Sequence, residues 1–185
     1  MQRTAMLGLW LVAWPGGQAQ AQADTLHRQG DPSVVTAIEA ETRRVYDSTT
    51  SWVFVFTREN LLGTAGAYGT EIQAGQRDGE VVRIIAGSWF PSGKVGVEFY
   101  RVHGKLVFTY ESEERFAEVG GAGWKNFKGH AGWERRTYLV NGEVSYVETL
   151  GAGAPPVSAA RLERALRRVL GAVASRQEPA RRGAG

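Results

Sequence analysis

Residues 133–150 read WERRTYLVNGEVSYVETL. Asn141-Gly142 sits between two runs of β-branched and aromatic residues, Trp133–Val140 and Glu143–Leu150. Asn-Gly is favoured in a two-residue turn because both central positions need positive φ. This stretch is therefore a β-hairpin, and it sets the reading of everything before it. Working upstream, Asp78-Gly79 separates Tyr68–Ala74 from Glu80–Trp89, Pro91-Ser92-Gly93 leads into Lys94–Val102, and His103-Gly104 leads into Lys105–Glu111. Residues 67–150 read as an antiparallel meander.

Two of these hairpins are alike. Tyr100-Arg-Val-His-Gly104-Lys-Leu-Val-Phe108 aligns with Tyr138-Leu-Val-Asn-Gly142-Glu-Val-Ser-Tyr146, and two copies stop short of a repeat architecture. Alternation puts Leu106, Phe108 and Tyr110 on one face, and sets Val95, Val97 and Phe99 against Glu98, Tyr100 and Val102. Trp52-Val53-Phe54-Val55-Phe56 is apolar on both faces, which predicts a buried central strand. The Leu61-Leu62 pair in the connection that follows predicts a helical turn beneath the sheet.

Helices are expected at both ends. Asp31-Pro32 is a start signal, with Val34, Val35, Ile38, Thr42, Val45 and Tyr46 following at helical spacing as far as about Asp47. Residues 24–30 are polar and read as loose. After the linker Gly151-Ala-Gly-Ala-Pro-Pro156, residues 157–175 carry an apolar stripe of Leu162, Leu166, Val169, Leu170 and Val173, with Arg161, Arg164, Arg167 and Arg168 opposite. That helix is expected to pack on the same domain, and residues 176–185 form a basic tail expected to be disordered. The fold class is α+β: a curved antiparallel sheet of six or seven strands with an N-terminal and a C-terminal helix, both on one side, leaving a concave face for Tyr100, Tyr110, Tyr138 and Tyr146 to line.

The unit Glu134-Arg-Arg-Thr-Tyr138-Leu-Val-Asn141-Gly142-Glu-Val144 resembles the E-x-R-x-Y-x-x-N-G-K-L element that closes an antiparallel meander in uncharacterised secreted bacterial proteins. The resemblance spans about residues 81–150 and departs at Glu143, where Lys is more usual. It implies a fold and a compartment, and no activity. The compartment is also written at the N-terminus. Arg3, the apolar run Ala5–Trp14, a Pro-Gly-Gly break and the small residues before Asp24 make residues 1–23 a signal peptide cleaved near Ala23. A periplasmic or secreted protein is expected, with no transmembrane span in the mature chain.

Composition narrows the chemistry. There is no cysteine, so disulfides, thiol nucleophiles, thiolate zinc sites and a lipid-anchored N-terminus are not expected. The net charge of +3 conceals a basic end, with seven Arg against two Glu in residues 161–185, and a mildly acidic body; nucleic acid is not an expected partner. His27, His103 and His130 are not spaced as metal ligands, and no G-x-S-x-G or phosphate-binding glycine loop is present, so neither metal nor cofactor is expected.

The long connection between Ser112 and Gly132 carries Trp124, Lys125, Phe127, Lys128 and His130, with Trp133 at its exit. Aromatic and basic residues on such a loop suit a glycan, a small molecule or an envelope protein. With Tyr100 and Tyr138 from the concave face they make the candidate binding set. The leading expectation is a non-enzymatic exported protein that binds a ligand or partner in the cell envelope. The alternative is a small exported hydrolase of cell-wall or glycan substrates using acids such as Glu111 or Glu114. A third is a docking role for the Arg-rich end.

Overall fold

A computed structural model of the chain describes residues 26–118 and 127–182. The elements run β1 (Leu26–Gly30), a 3-10 turn (Pro32–Val34), α1 (Val35–Ser48), β2 (Ser51–Thr57), β3 (Thr70–Arg77), β4 (Glu80–Phe90), β5 (Gly93–Val102), β6 (Lys105–Glu118), β7 (Phe127–Val140), β8 (Glu143–Gly151) and α2 (Ala159–Arg182). All eight strands form one antiparallel sheet in the order β1-β8-β7-β6-β5-β4-β3-β2. The fold is α+β with a meander, as the turn pairs indicate, but it has eight strands rather than six or seven.

The additional strand is β1. Its sequence, LHRQG, has no apolar alternation, and every residue in it is exposed. It is a strand because β8 offers an open backbone edge, with Leu26 paired to Leu150 and Gly30 to Tyr146. Edge pairing asks only for backbone donors and acceptors, so it overrides a polar sequence.

Three hairpins, not two, share one design. Asp78-Gly79, His103-Gly104 and Asn141-Gly142 all have positive φ at both turn positions. In each, three residues past the glycine, the ladder slips by one, leaving Val82, Val107 and Ser145 as bulges. Residues 75–83 are thus a third copy of the unit seen at 100–108 and 138–146. The bulge at Val107 also corrects the alternation of β6: Leu106 faces α2, whereas Phe108 and Tyr110 face α1.

The helices cover opposite faces of the sheet, so the expected single helical layer gives way to three layers. On one face, Ile38 of α1 packs on Tyr138 and Tyr146, and Val45 packs on Val82 and Tyr100. On the other, Leu162, Leu166, Val169 and Val173 of α2 pack on Ile72, Ile84, Val97, Phe99 and Leu139. Adjacent residues such as Phe99 and Tyr100, or Tyr138 and Leu139, therefore serve different layers. Leu61 closes the α2 side from below. Asp31 caps the entry turn through a 2.9 Å bond from the Ser33 N–H, with Pro32 following as the start signal predicts. α2 extends to Arg182, beyond the expected end at Ser175, and runs through Pro179, whose cost its Arg, Gln, Glu and Ala neighbours, all good helix formers, offset only in part.

β2 is not central. It is the other edge strand, and its aromatic side is open: Phe54 is 66% and Phe56 67% exposed. Only Val53 and Val55 turn to the α2-side core. The run is apolar on both faces, but only one face has a layer to meet.

α2 is fastened by charge as well as by its stripe. Glu111, 4% exposed, accepts from Arg135 Nε at 2.9 Å and Nη2 at 2.7 Å, and from Arg161 Nη2 at 2.6 Å. Arg135 also donates to the Pro155 carbonyl, which fixes the linker ahead of α2. One carboxylate thus holds a strand, a linker and a helix together. Removing it strands two guanidiniums, one of them almost wholly buried. Glu111→Ala is expected to cost about 3–5 kcal/mol in urea unfolding. Arg161→Ala should cost less, since that side chain is 32% exposed. A Glu111→Ala midpoint equal to that of the parent would remove the clamp from this account.

Candidate ligand-binding face

The register sorts the α1 side of the sheet into rows that cross all eight strands. The first runs Trp52, Gly75, Arg83, Tyr100, Phe108, Tyr138, Tyr146, Gly30. It lies under α1. Its rings pack at tilted angles from Tyr100 to Phe108 at 5.6 Å, on to Tyr138 at 5.0 Å and on to Tyr146 at 5.7 Å between centroids. Tyr138 donates to Glu39 of α1 at 3.1 Å, Tyr146 to Glu148 at 3.1 Å and Tyr100 to Glu98 at 2.9 Å. Arg83 lies among the rings of Tyr46, Trp52 and Tyr100 and pairs with Glu98 at 2.8 Å. Gly75 is what lets Trp52 lie flat here: a Cβ at Gly75 would stand 2.6 Å from a Thr49 methyl and 3.2 Å from the Trp52 ring.

The second row runs Phe54, Gln73, Ile85, Glu98, Tyr110, Arg136, Glu148, Arg28. The third runs Phe56, Glu71, Gly87, Gly96, Ser112, Glu134, Leu150, Leu26. Among the described residues, neither helix has core contacts with these two rows. They form an open trough with a graded chemistry. At the β2 end the walls are Phe54, Phe56 and Ile85. In the middle Gly87 and Gly96 pair directly, so the floor there is bare backbone. At the β1 end a hollow of about 260 Å³ is lined in part by Arg28, Tyr110, Glu134, Arg136 and Glu148, between Leu26 and Leu150.

The charges at that end balance. Glu98 meets Arg83, and Glu148 meets both Arg28 at 3.3 Å and Arg136 at 3.6 Å. The Tyr110 phenol stands beside the Glu134 carboxylate. At the β1 end two carboxylates, Glu134 and Glu148, face two guanidiniums, Arg28 and Arg136, which leaves many hydrogen-bonding groups and no net charge there; nearer β2, Glu98 is answered by Arg83 from the row under α1, and Glu71 adds a carboxylate. Burial raises the Tyr110 phenol above its ordinary range, and the Glu134 carboxylate raises it further.

The residues singled out from the sequence are not gathered into one site. Tyr100 and Tyr138 are on the trough's face but sealed beneath α1, at 9% and 0% exposure, and serve as its packing surface. Trp133 lies on the opposite face, buried beside Arg135 at 5.3 Å. Phe127, Lys128 and His130 stand in β7, opposite Glu118, Ala117 and Arg115 of β6, so the connection predicted between Ser112 and Gly132 is largely hairpin. Trp124 and Lys125 lie outside the described residues, as do residues 1–23, where the sequence predicts a signal peptide. Glu111 and Glu114 fall on opposite faces. The first is held by two arginines, and the second stands 3.8 Å from Lys94. Among the described residues no group of three acidic or histidine side chains is placed to hold a metal. Reading the sequence missed Gly87, Gly96, Glu134 and Arg136. Spaced glycines within two strands that lie next to each other were the available signal.

Tyr100, Tyr110 and Tyr138 all have phenols pushed upward, first by burial and then by Glu98, Glu134 and Glu39 respectively. A group that holds its proton more tightly when folded stabilises the fold below its unfolded pKa and loses that contribution as pH rises beyond it. Stability should therefore hold to about pH 10 and fall above it. In an alkaline titration these three phenols should ionise only as the circular dichroism of the fold is lost. Full ionisation of all six tyrosines with the fold intact would contradict the burial of these three phenols. No protein-family model, curated protein or solved structure matches this chain.

Proposed function

We propose that this chain is an exported, non-enzymatic binding protein whose site is the open trough on the α1 side of the sheet. The observation that carries the reading is the gradient along two uncovered rows: aromatic at β2, bare glycine backbone at β4 and β5, and a neutral lattice of acids, guanidiniums and a phenol from β6 to β1. A mixed surface, apolar at one end and dense in polar groups at the other, suits a ligand that stacks at one end and hydrogen-bonds at the other. Charge balance at the polar end disfavours a strongly ionic ligand and favours hydroxyls, which both donate and accept. An envelope glycan, with its apolar ring face and its rim of hydroxyls, fits that description.

Gly96 and Gly87 make the reading testable with little harm to the fold. A Cβ at Gly96 would first meet Ser112 Oγ at 3.4 Å, and one at Gly87 would meet only the Val95 carbonyl at 3.9 Å. Leucine at either position grows into the trough. Native mass spectrometry of the exported protein, followed by calorimetric titration with cell-wall glycan fragments, is expected to detect a bound species. Gly96→Leu and Gly87→Leu should each weaken binding at least about tenfold, equivalent to about 1.4 kcal/mol, with unfolding midpoints close to the parent's. Undiminished binding in both variants would move the site elsewhere.

A further inference from the structure

The two edges of the sheet are unlike. β1 is short and carries His27, Arg28 and Gln29, the kind of polar edge that discourages pairing with other chains. β2 carries no charge and no proline over its seven residues, and its ladder with β3 is unbroken from Ser51 to Thr57. Among the described residues no strand pairs with its outer side. α2 packs on the face of β2 through Val53 and Val55, and beside that contact lies a cleft of about 710 Å³, lined in part by Val55, Thr57, Gly171 and Ser175. A row of backbone donors and acceptors beside exposed aromatic rings calls for another extended strand.

The order of residues says which strand. Read outward from Phe54, β2 is the same in both directions by chemical kind: Val53 and Val55, then Trp52 and Phe56, then Ser51 and Thr57. A two-fold interface must be complementary to itself, and an antiparallel pair centred on Phe54 meets that condition at every position. We infer that β2 pairs with β2 of a second copy of this chain, antiparallel about a two-fold axis at Phe54, which joins the two sheets edge to edge. In this register Phe54 opposes Phe54, and each Trp52 opposes Phe56 of the other copy. Aromatic cross-strand pairs replace rings that stand 38–67% exposed in one copy. No charge is brought against a like charge within the strand. Seven residues a side is well below the roughly 20–30 of a standard interface, so the dimer dissociates on dilution. Pairing uses the backbone edge and brings Phe54 and Phe56, the aromatic end of the trough, to the interface, while the glycine floor and the polar end stay uncovered; this inference goes beyond the ligand reading and does not depend on it.

The chain has no cysteine, which permits a test of register. At the axis the two Cβ atoms are about 5 Å apart, within reach of a disulfide. At position 56 the two copies are separated by four residues of strand, about 13 Å, which is out of reach. Both side chains are equally exposed on the same face. Full-length protein secreted to an oxidising compartment is expected to form a covalent dimer as Phe54→Cys and to remain uncrosslinked as Phe56→Cys. Sedimentation velocity of the parent across a dilution series should show a monomer–dimer equilibrium, and Phe54→Lys, which opposes two ammonium groups at the axis, should be monomeric with an unchanged melting temperature. Equal cross-linking of both cysteine variants would overturn the register. A parent that stays monomeric at every concentration would overturn the inference, and is what a β2 edge reserved for another protein's peptide would give.

Discussion

β1 and β2 are consecutive strands in the chain and opposite edges of the sheet. At about 4.8 Å between strands, a flat sheet of this width would put them roughly 34 Å apart. The chain between Gly30 and Ser51 must cross that distance over one face, and α1 alone supplies about 21 Å of it. Much of the architecture answers to this crossing. α1 lies across the strands with Ile38 over β7 and β8 and Val45 over β4 and β5. The bulges at Val82, Val107 and Ser145 fall on the hairpin ends that it covers, where they add local twist and shorten the span. With α1 committed to one end of its face, the other end is left as the trough. α2 then takes the opposite face, where the apolar residues of β3, β4 and β5 await a partner.

The two layers are held by different physics. Under α2 the contacts are aliphatic, with charge concentrated in the Glu111, Arg135 and Arg161 clamp. Under α1 they are aromatic and phenolic, and nearly every polar tip is answered by a carboxylate or guanidinium. A ring row with satisfied hydroxyls buries a large area while fixing where the helix sits, because each phenol must find its own acceptor. The same alternation of tyrosine, glutamate and arginine continues past the helix into the open rows. There the groups bond to one another across the strands and present what remains to whatever occupies the trough.

Much of the fold was legible from local chemistry. The three X-Gly turns, the Asp31-Pro32 start and the Leu and Val stripe of α2 each state their structure within a few residues. What was not legible depended on long-range arrangement. β1 has no pattern of its own and exists because β8 has an edge. β2 advertises burial on both faces, but burial needs a layer on each, and α1 is spent further along the sheet. The alternation of β6 fails at one inserted residue, Val107, which no composition signals. The site was harder to see for a related reason. Tyrosines suggest lining, yet the row under α1 uses them as packing, and the trough owes its shape to Gly87 and Gly96, where side chains are missing.

Every strand from β2 to β8 pairs with its neighbour in sequence. β1 alone finds its partner across more than a hundred residues, as Arg28 and Glu148 illustrate with a separation of 120. Short-range pairings form early because little loop entropy is spent on each, whereas the β1–β8 closure must wait until β8 exists. The meander can therefore zip progressively from its hairpins. β1 and α1 arrive late, as a strap drawn over a sheet already laid down. Until the strap closes, the tyrosine row is wet. By sequence separation the N-terminal strap is among the last parts to close, along with the packing of α2 on β2, and a segment that closes late is expected to lift early when the native state opens locally.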